Sequence, residues 1–125
     1  MKFRSCETND DCIRACVASF IDRDDVPHVF NKNSNPEISW KLLKEYLKSH
    51  KKYIALIPSD EDPREFMQIN NPETPYLLFF SNVSGDHCAI FRGSKKIHDP
   101  SLLNYQVKGP NSKAGWIIGL IGDLV

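Results

Sequence analysis

Asp10-Asp11-Cys12-Ile13-Arg14-Ala15-Cys16-Val17-Ala18-Ser19-Phe20 is the stretch from which the architecture can be worked out. Ile13, Val17, Phe20 and Ile21 recur at helical spacing, while Ala15, Cys16 and Ala18 keep the other sides small. A helix that is apolar on most faces belongs at the centre of a domain. The pattern predicts a start near Asp10 or Asp11, where a carboxylate caps free amides and suits the helix dipole. It predicts a stop near Asp22, because Asp22-Arg23-Asp24-Asp25-Val26-Pro27 breaks the spacing and Pro27 disfavours a helical Val26.

Beyond this helix, residues 28–34 read as a loop. Asn35-Pro36-Glu37 then reads as a helix start, with a capping Asn, a Pro in the first helical position and an acid in the first turn. Ile38, Leu42, Tyr46 and Leu47 supply an apolar stripe, widened by Trp40 and Leu43. A strand is expected over 53–57, closed by Pro58, and a short helix over 63–69. The apolar run Tyr76-Leu77-Leu78-Phe79-Phe80 reads as a buried strand. Strands over 87–92 and 95–98 pair across Gly93-Ser94. Residues 104–115 read as a long loop, and 116–121 as a final strand. Helices come first and strands follow, an order that favours an α+β domain with an antiparallel sheet over alternating βαβ units.

The chain has 125 residues, 41% of them hydrophobic, which suits one domain over 1–125 with one core. Lys+Arg and Asp+Glu both total 16. A protein that holds nucleic acid by neutralising phosphates is usually basic on at least one face, so no nucleic-acid partner is expected. The longest basic cluster, Lys48-Ser49-His50-Lys51-Lys52, falls at a helix end, where cations complement the dipole. Polar sequence follows Met1-Lys2-Phe3-Arg4-Ser5. No secretory signal and no apolar run of roughly 20 residues is legible, so a cytoplasmic protein without a membrane partner is expected.

Cys6, Cys12, Cys16 and Cys88 are expected to be free thiols. Cys12 and Cys16 lie one turn apart, with Cys16 turned to the core. No C-x-x-C pair exists, and neither Cys12-x-x-x-Cys16 nor His87-Cys88 has finger spacing, so no metal and no other cofactor is expected. Taken alone, Cys12 would be a buried structural cysteine and His87 a satisfied core or surface histidine. Together they read differently. A thiol at a helix N-terminus is favoured as thiolate by the dipole, and its own amide is free to meet an oxyanion. Asp10 and Asp11 bring opposing negative charge. If the hairpin turn centres on Gly93, position 87 faces position 99, and Asp99 can fix the tautomer of His87. Alternation sends His98 to the other face, and Cys88 away from His87 into the core. His28 and His50 read as surface residues without partners.

Asp11-Cys12-x-x-Ala15-Cys16-x-Ala18-Ser19 resembles the nucleophile helix of papain-like cysteine peptidases of the bacteriocin-processing type. His87, an apolar strand and Asp99-Pro100 resemble their His-strand-turn-strand-Asp-Pro segment. The chain looks still more like small papain-like proteins of bacteria and phages. Those combine a Cys-x-x-Ala-Cys-x-Ala-Ser helix, a following Val-Pro, a Trp-containing helix and a Gly-x-His strand ending in His-Asp-Pro. Val26-Pro27, Trp40, Gly85-Asp86-His87 and His98-Asp99-Pro100 match in that order, over roughly residues 6 to 101. The resemblance implies a papain-like fold with the nucleophile helix on an antiparallel sheet. It implies Cys12 as nucleophile, His87 as general base and acid, and Asp99 as orienter. The Gln that family members often place before the nucleophile is absent, since the chain has only Gln68 and Gln106. Asn9 is then the oxyanion candidate, with Thr8 a poorer one. Ile13 stands where many members have Gly.

The expected activity is hydrolysis of an amide, peptide or isopeptide bond in a peptide or small amide substrate. Acyl transfer would use the same three residues with an amine in place of water. A binding or inhibitor module on the same fold is the non-enzymatic alternative. Neither substrate identity nor oligomeric state is encoded in these motifs.

Overall fold

Three helices and five strands follow in the order α1 (Cys12–Ile21), α2 (Pro36–Ser49), β1 (Lys52–Ser59), α3 (Pro63–Asn70), β2 (Pro75–Asn82), β3 (Gly85–Arg92), β4 (Lys95–His98) and β5 (Gly115–Gly122). The computed structural model describes residues 1–8, 10–31, 33–59, 61–82, 85–102 and 115–122. The strands make one sheet in the order β1-β5-β2-β3-β4, and every neighbouring pair is antiparallel. The protein is thus α+β, as the order of elements in the chain predicts. Gly115 begins β5, and the rest of the loop expected over 104–115 lies outside the described residues. No helix among the described residues is long and apolar enough to cross a membrane.

Both faces of the sheet are covered. On one, α1 and α2 contribute Ile13, Cys16, Val17, Leu43 and Leu47 to a cluster with Leu77, Cys88, Ile90 and Ile118. On the other, Met67 of α3 packs with Tyr76, Leu78, Phe80, Ala89, Phe91 and Ile117. Two-sided burial explains why 76–80 reads as an unbroken apolar run rather than an alternating one. Leu77 and Leu78 are both fully buried, each on its own face.

Several local details differ from the sequence reading. Asp11 stands at the N-cap of α1, yet its carboxylate caps no helix amide. It accepts instead from the Glu7 N–H at 2.8 Å and, through both oxygens, from Arg14 Nε and Nη2 at 2.7 Å each. A bidentate charged pair is stronger than a single cap bond, so it wins the side chain. In α2 the buried positions are Ser39, Leu43 and Leu47, whereas Ile38 and Leu42 of the expected stripe are exposed. The Ser39 hydroxyl donates to the Val29 carbonyl at 2.5 Å, turning a polar residue inward and rotating the apolar pair out. Pro58 does not close β1 but lies within it, opposite Trp116. Among the described residues β1 pairs with β5 alone, and an edge strand tolerates a residue without an N–H.

The β3–β4 hairpin carries the most consequential difference. Arg92 faces Lys95 and Phe91 faces Lys96, so the turn centres between Gly93 and Ser94 rather than on Gly93. Gly93 has φ +58, the left-handed value that a two-residue hairpin asks of its first turn position. A β-bulge follows, and Ile90 pairs with His98, leaving Ile97 as the extra residue. His87 therefore does not face Asp99 directly. Continuing the shifted register sets Ala89 opposite Asp99, with His87 its diagonal neighbour on the same face.

Candidate functional site

Cys12 is the first residue of α1. The first amide bonded back along the chain is that of Ala15, to the Asp11 carbonyl at 3.0 Å, so the N–H groups of Cys12, Ile13 and Arg14 have no acceptor within the helix. Cys12 is half-buried, whereas Cys6, Cys16 and Cys88 are buried, and all four are free thiols. Burial pushes the Cys6 thiol up to about 12 and the Cys16 thiol well above its ordinary value. Cys16 Sγ donates to the Cys88 carbonyl at 3.5 Å, fixing both as core residues.

Although its register is diagonal, His87 meets Asp99, with Nε2 lying 2.9 Å from Oδ1. A carboxylate only accepts, so Nε2 carries the proton and donates it to this bond. The Cys12 thiol is near enough to the His87 ring to favour its charged form, and with Nε2 engaged by Asp99, Nδ1 is the nitrogen left to exchange a proton with it. Phe80, directly across on β2, meets the imidazole edge-on with centroids 5.6 Å apart. Asp99 is buried and satisfied on both oxygens. Oδ1 also accepts from the Ser101 N–H at 3.0 Å, and Oδ2 accepts from Lys96 Nζ at 3.1 Å. The Cys6 N–H donates to the Pro100 carbonyl at 2.7 Å, tying the N-terminal segment to this corner.

The charges follow from these contacts. Burial opposes the imidazolium of His87, but the hydrogen bond to Asp99 and the neighbouring Cys12 thiol outweigh it and raise the group to about 9. Burial likewise opposes the Asp99 carboxylate, and the bonds from His87, Ser101 and Lys96 overcome it, holding the group down at about 2. His87 is raised in the fold, so its contribution is complete below about 6.5 and is lost as pH rises through about 9. Asp99 is depressed, so its contribution is present above about 3.8 and is lost as pH falls through about 2. Wild-type stability is expected to decline between pH 6.5 and 9 by on the order of 2–3 kcal/mol more than that of His87→Gln. Denaturant midpoints measured from pH 5.5 to 9.5 check this, and parallel curves for the two proteins would rule it out.

The other histidines are differently engaged. His98 Nε2–H donates to the Arg4 carbonyl at 2.7 Å and its ring stacks on Phe3, so it holds the N-terminal segment and not Cys12. His28 is half-exposed, as expected of a surface residue, but it has partners: Nε2 lies 2.9 Å from Glu7 Oε2 and Nδ1 lies 3.2 Å from Asp11 Oδ1. His50 packs against Tyr46. Asn9 lies outside the described residues. Two site-bordering groups escape the sequence reading. Arg14 was available from its i,i+3 spacing to Asp11. Lys96 was not, because in an unbroken strand positions 96 and 99 point to opposite faces, and only the bulge brings them together.

A separate groove of about 520 Å³ lies between α2 and the edge strand β1, lined by Trp40, Lys41, Lys44, Lys48 and Leu56 together with two glutamates. It sits three strands away from β3, roughly 14 Å across the sheet, and takes no part in the Cys12–His87 corner.

No family model, no curated protein and no solved structure matches this chain. The chemistry of the corner therefore rests on its own geometry: a thiol at a helix start, an imidazole beside it, and a carboxylate hydrogen-bonded to that imidazole.

Proposed function

We propose that the protein is a cysteine-dependent hydrolase of an amide, peptide or isopeptide bond, papain-like in its arrangement of groups. The observation that carries this reading is the position of His87, hydrogen-bonded to Asp99 Oδ1 at 2.9 Å and close enough to Cys12, the first residue of α1, for the thiol to act on its charge. The resemblance of the Cys12 helix and of the His98-Asp99-Pro100 segment supports it independently of the distances.

In this mechanism His87 takes the Cys12 proton, and the thiolate attacks the substrate carbonyl carbon. The carbonyl oxygen becomes an oxyanion, for which the free Cys12 N–H is the donor at hand. Collapse breaks the C–N bond. His87 gives its proton to the leaving amine, and a thioester remains on Cys12. Water then loses a proton to His87 and attacks the thioester, releasing the acid and restoring the thiol. Asp99, held by Lys96 and Ser101, keeps the imidazole oriented through both halves.

The test is incubation with a panel of peptidyl, γ-glutamyl and ε-lysyl isopeptide coumarin amides, followed by acid quenching and intact-mass and peptide mass spectrometry. Coumarin release with an acyl adduct mapped to Cys12, both absent in Cys12→Ala, is the expected result. Absence of turnover and adduct across the panel, together with Cys12 alkylation no faster than that of an ordinary thiol, would overturn the reading.

A further inference from the structure

We propose that Lys96 is a positioning residue of the Cys12–His87–Asp99 site, locking the Asp99 carboxylate in the one rotation that delivers Oδ1 to His87. This inference rests on the hydrolase reading and adds to it a group that the three-residue arrangement does not include.

The reasoning begins with the bulge. A carboxylate that accepts from His87 on one oxygen alone can rotate about its Cβ–Cγ bond, and the imidazole loses its fixed partner when it does. Asp99 is denied that freedom by two further donors. The Ser101 N–H, at 3.0 Å, binds the same Oδ1 that His87 uses, so it does not by itself fix the second oxygen. Lys96 Nζ, at 3.1 Å, takes Oδ2, and with both oxygens claimed from different directions the plane of the carboxylate is set. The ammonium is mostly sheltered, with its side chain 19% exposed, and the Asp99 side chain is wholly buried. A charge-assisted bond in such surroundings is stronger and less screened than a surface ion pair.

The contact exists because of an irregularity in the strand. Ile97 is the extra residue of the bulge, and it places Lys96 and Asp99 on one face although they are three positions apart. The bulge thus does two things at one point: it slides Asp99 to the diagonal of His87 and brings a cation behind it. Around the imidazole stand the Cys12 thiol from α1, Asp99 and Lys96 from the hairpin, and the uncharged Phe80 ring from β2. Lys96 is the cation placed to hold the carboxylate.

Two measurements on the full chain test the proposal, each for wild type, Lys96→Met and Lys96→Arg. The first is the iodoacetamide labelling rate of Cys12 at pH 6.5, resolved by peptide mass spectrometry. The second is the tautomer of the His87 ring, read from its nitrogen and carbon-bound proton correlations by NMR, with amide spectra verifying that each variant is folded. At about pH 10, where the ring has lost the charge it keeps to about 9, wild type should hold the single Nε2–H tautomer. Lys96→Met should label about tenfold more slowly, in the range seen when a group supporting a site residue is removed, and should show mixed tautomers. Lys96→Arg, which can still donate to Oδ2, should restore the single tautomer and bring labelling back to within about twofold of wild type. A purely structural role would lower the melting temperature of Lys96→Met and leave the tautomer unchanged. An unchanged tautomer and an unchanged labelling rate in Lys96→Met would overturn the proposal. If wild-type Cys12 itself shows no enhanced labelling, the hydrolase reading fails, and the tautomer measurement still decides whether Lys96 orients the pair.

Discussion

His87→Ala is expected to abolish the selective alkylation of Cys12 near pH 6 and to lower amide hydrolysis by on the order of 10³ or more. The first effect comes from the thiolate fraction. An ordinary cysteine, with a pKa near 8.5, is roughly 0.3% thiolate at pH 6. A thiol beside an imidazole that stays protonated to about 9 can transfer its proton and persist as half of an ion pair. Wild-type Cys12 should therefore react with iodoacetamide at pH 6 at least about tenfold faster than a free thiol. Competition from the other thiols is small. Cys6 is pushed up to about 12, and Cys16 and Cys88 are buried. The second effect is larger because His87 serves twice, as base toward the thiol and as acid toward the leaving amine. Equal labelling rates in wild type and His87→Ala would show that the imidazole does not activate the thiol.

The second large effect is on stability. Arg14→Met should destabilise the fold by about 3–5 kcal/mol, because it leaves the Asp11 carboxylate buried without its cation. The side chains of Asp11 and Arg14 are 1% and 5% exposed, and the pair is bidentate with both bonds at 2.7 Å. The remaining donor to Asp11 is the Glu7 N–H, with half-exposed His28 Nδ1 3.2 Å from Oδ1, and neither replaces a guanidinium. Asp11→Asn combined with Arg14→Met removes both charges and keeps an acceptor for Glu7, so the double variant should recover a large part of the loss. Denaturant melts of wild type, Arg14→Met, Asp11→Asn and the double variant, combined as a double-mutant cycle, measure the coupling. A cost below about 1 kcal/mol for Arg14→Met would mean that the pair behaves like a surface salt bridge. The site should feel the change as well, because Asp11 anchors the chain at Glu7 and directly precedes Cys12.

The elements were legible where one physical signal dominated. Asn35 with Pro36, and the Gly93-Ser94 turn, announce themselves by local chemistry, and the apolar run over 76–80 by burial on two sides. Hydropathy misplaced the inner face of α2 because a hydroxyl bonded to a carbonyl, Ser39 to Val29, decides it. Asp11 was misassigned because two acceptable uses of its carboxylate compete, and only the fold reveals that Arg14 is buried beside it. The proximity of His87 and Asp99 was anticipated from a register that the hairpin does not adopt. The half-residue offset of the turn and the bulge displaced the pair to a diagonal, and the side chains still reach. Lys96 could not be anticipated, since nothing in its neighbours marks the bulge.

The place of β5 in the sheet has a kinetic consequence. β5 lies between β1 and β2 and supplies the sole described partner of β1, so the chain between Ser59 and Gly115 must be looped closed before that half of the sheet exists. Local hairpins such as β2–β3–β4 can zip early, bringing His87 and Asp99 together. The layer on which α2 rests must wait for the last strand in the order. Non-local closure of this kind slows folding and leaves strand edges open meanwhile. Until β5 docks, β1 has no described partner, so the corner holding Cys12 can form on a sheet that still lacks one side.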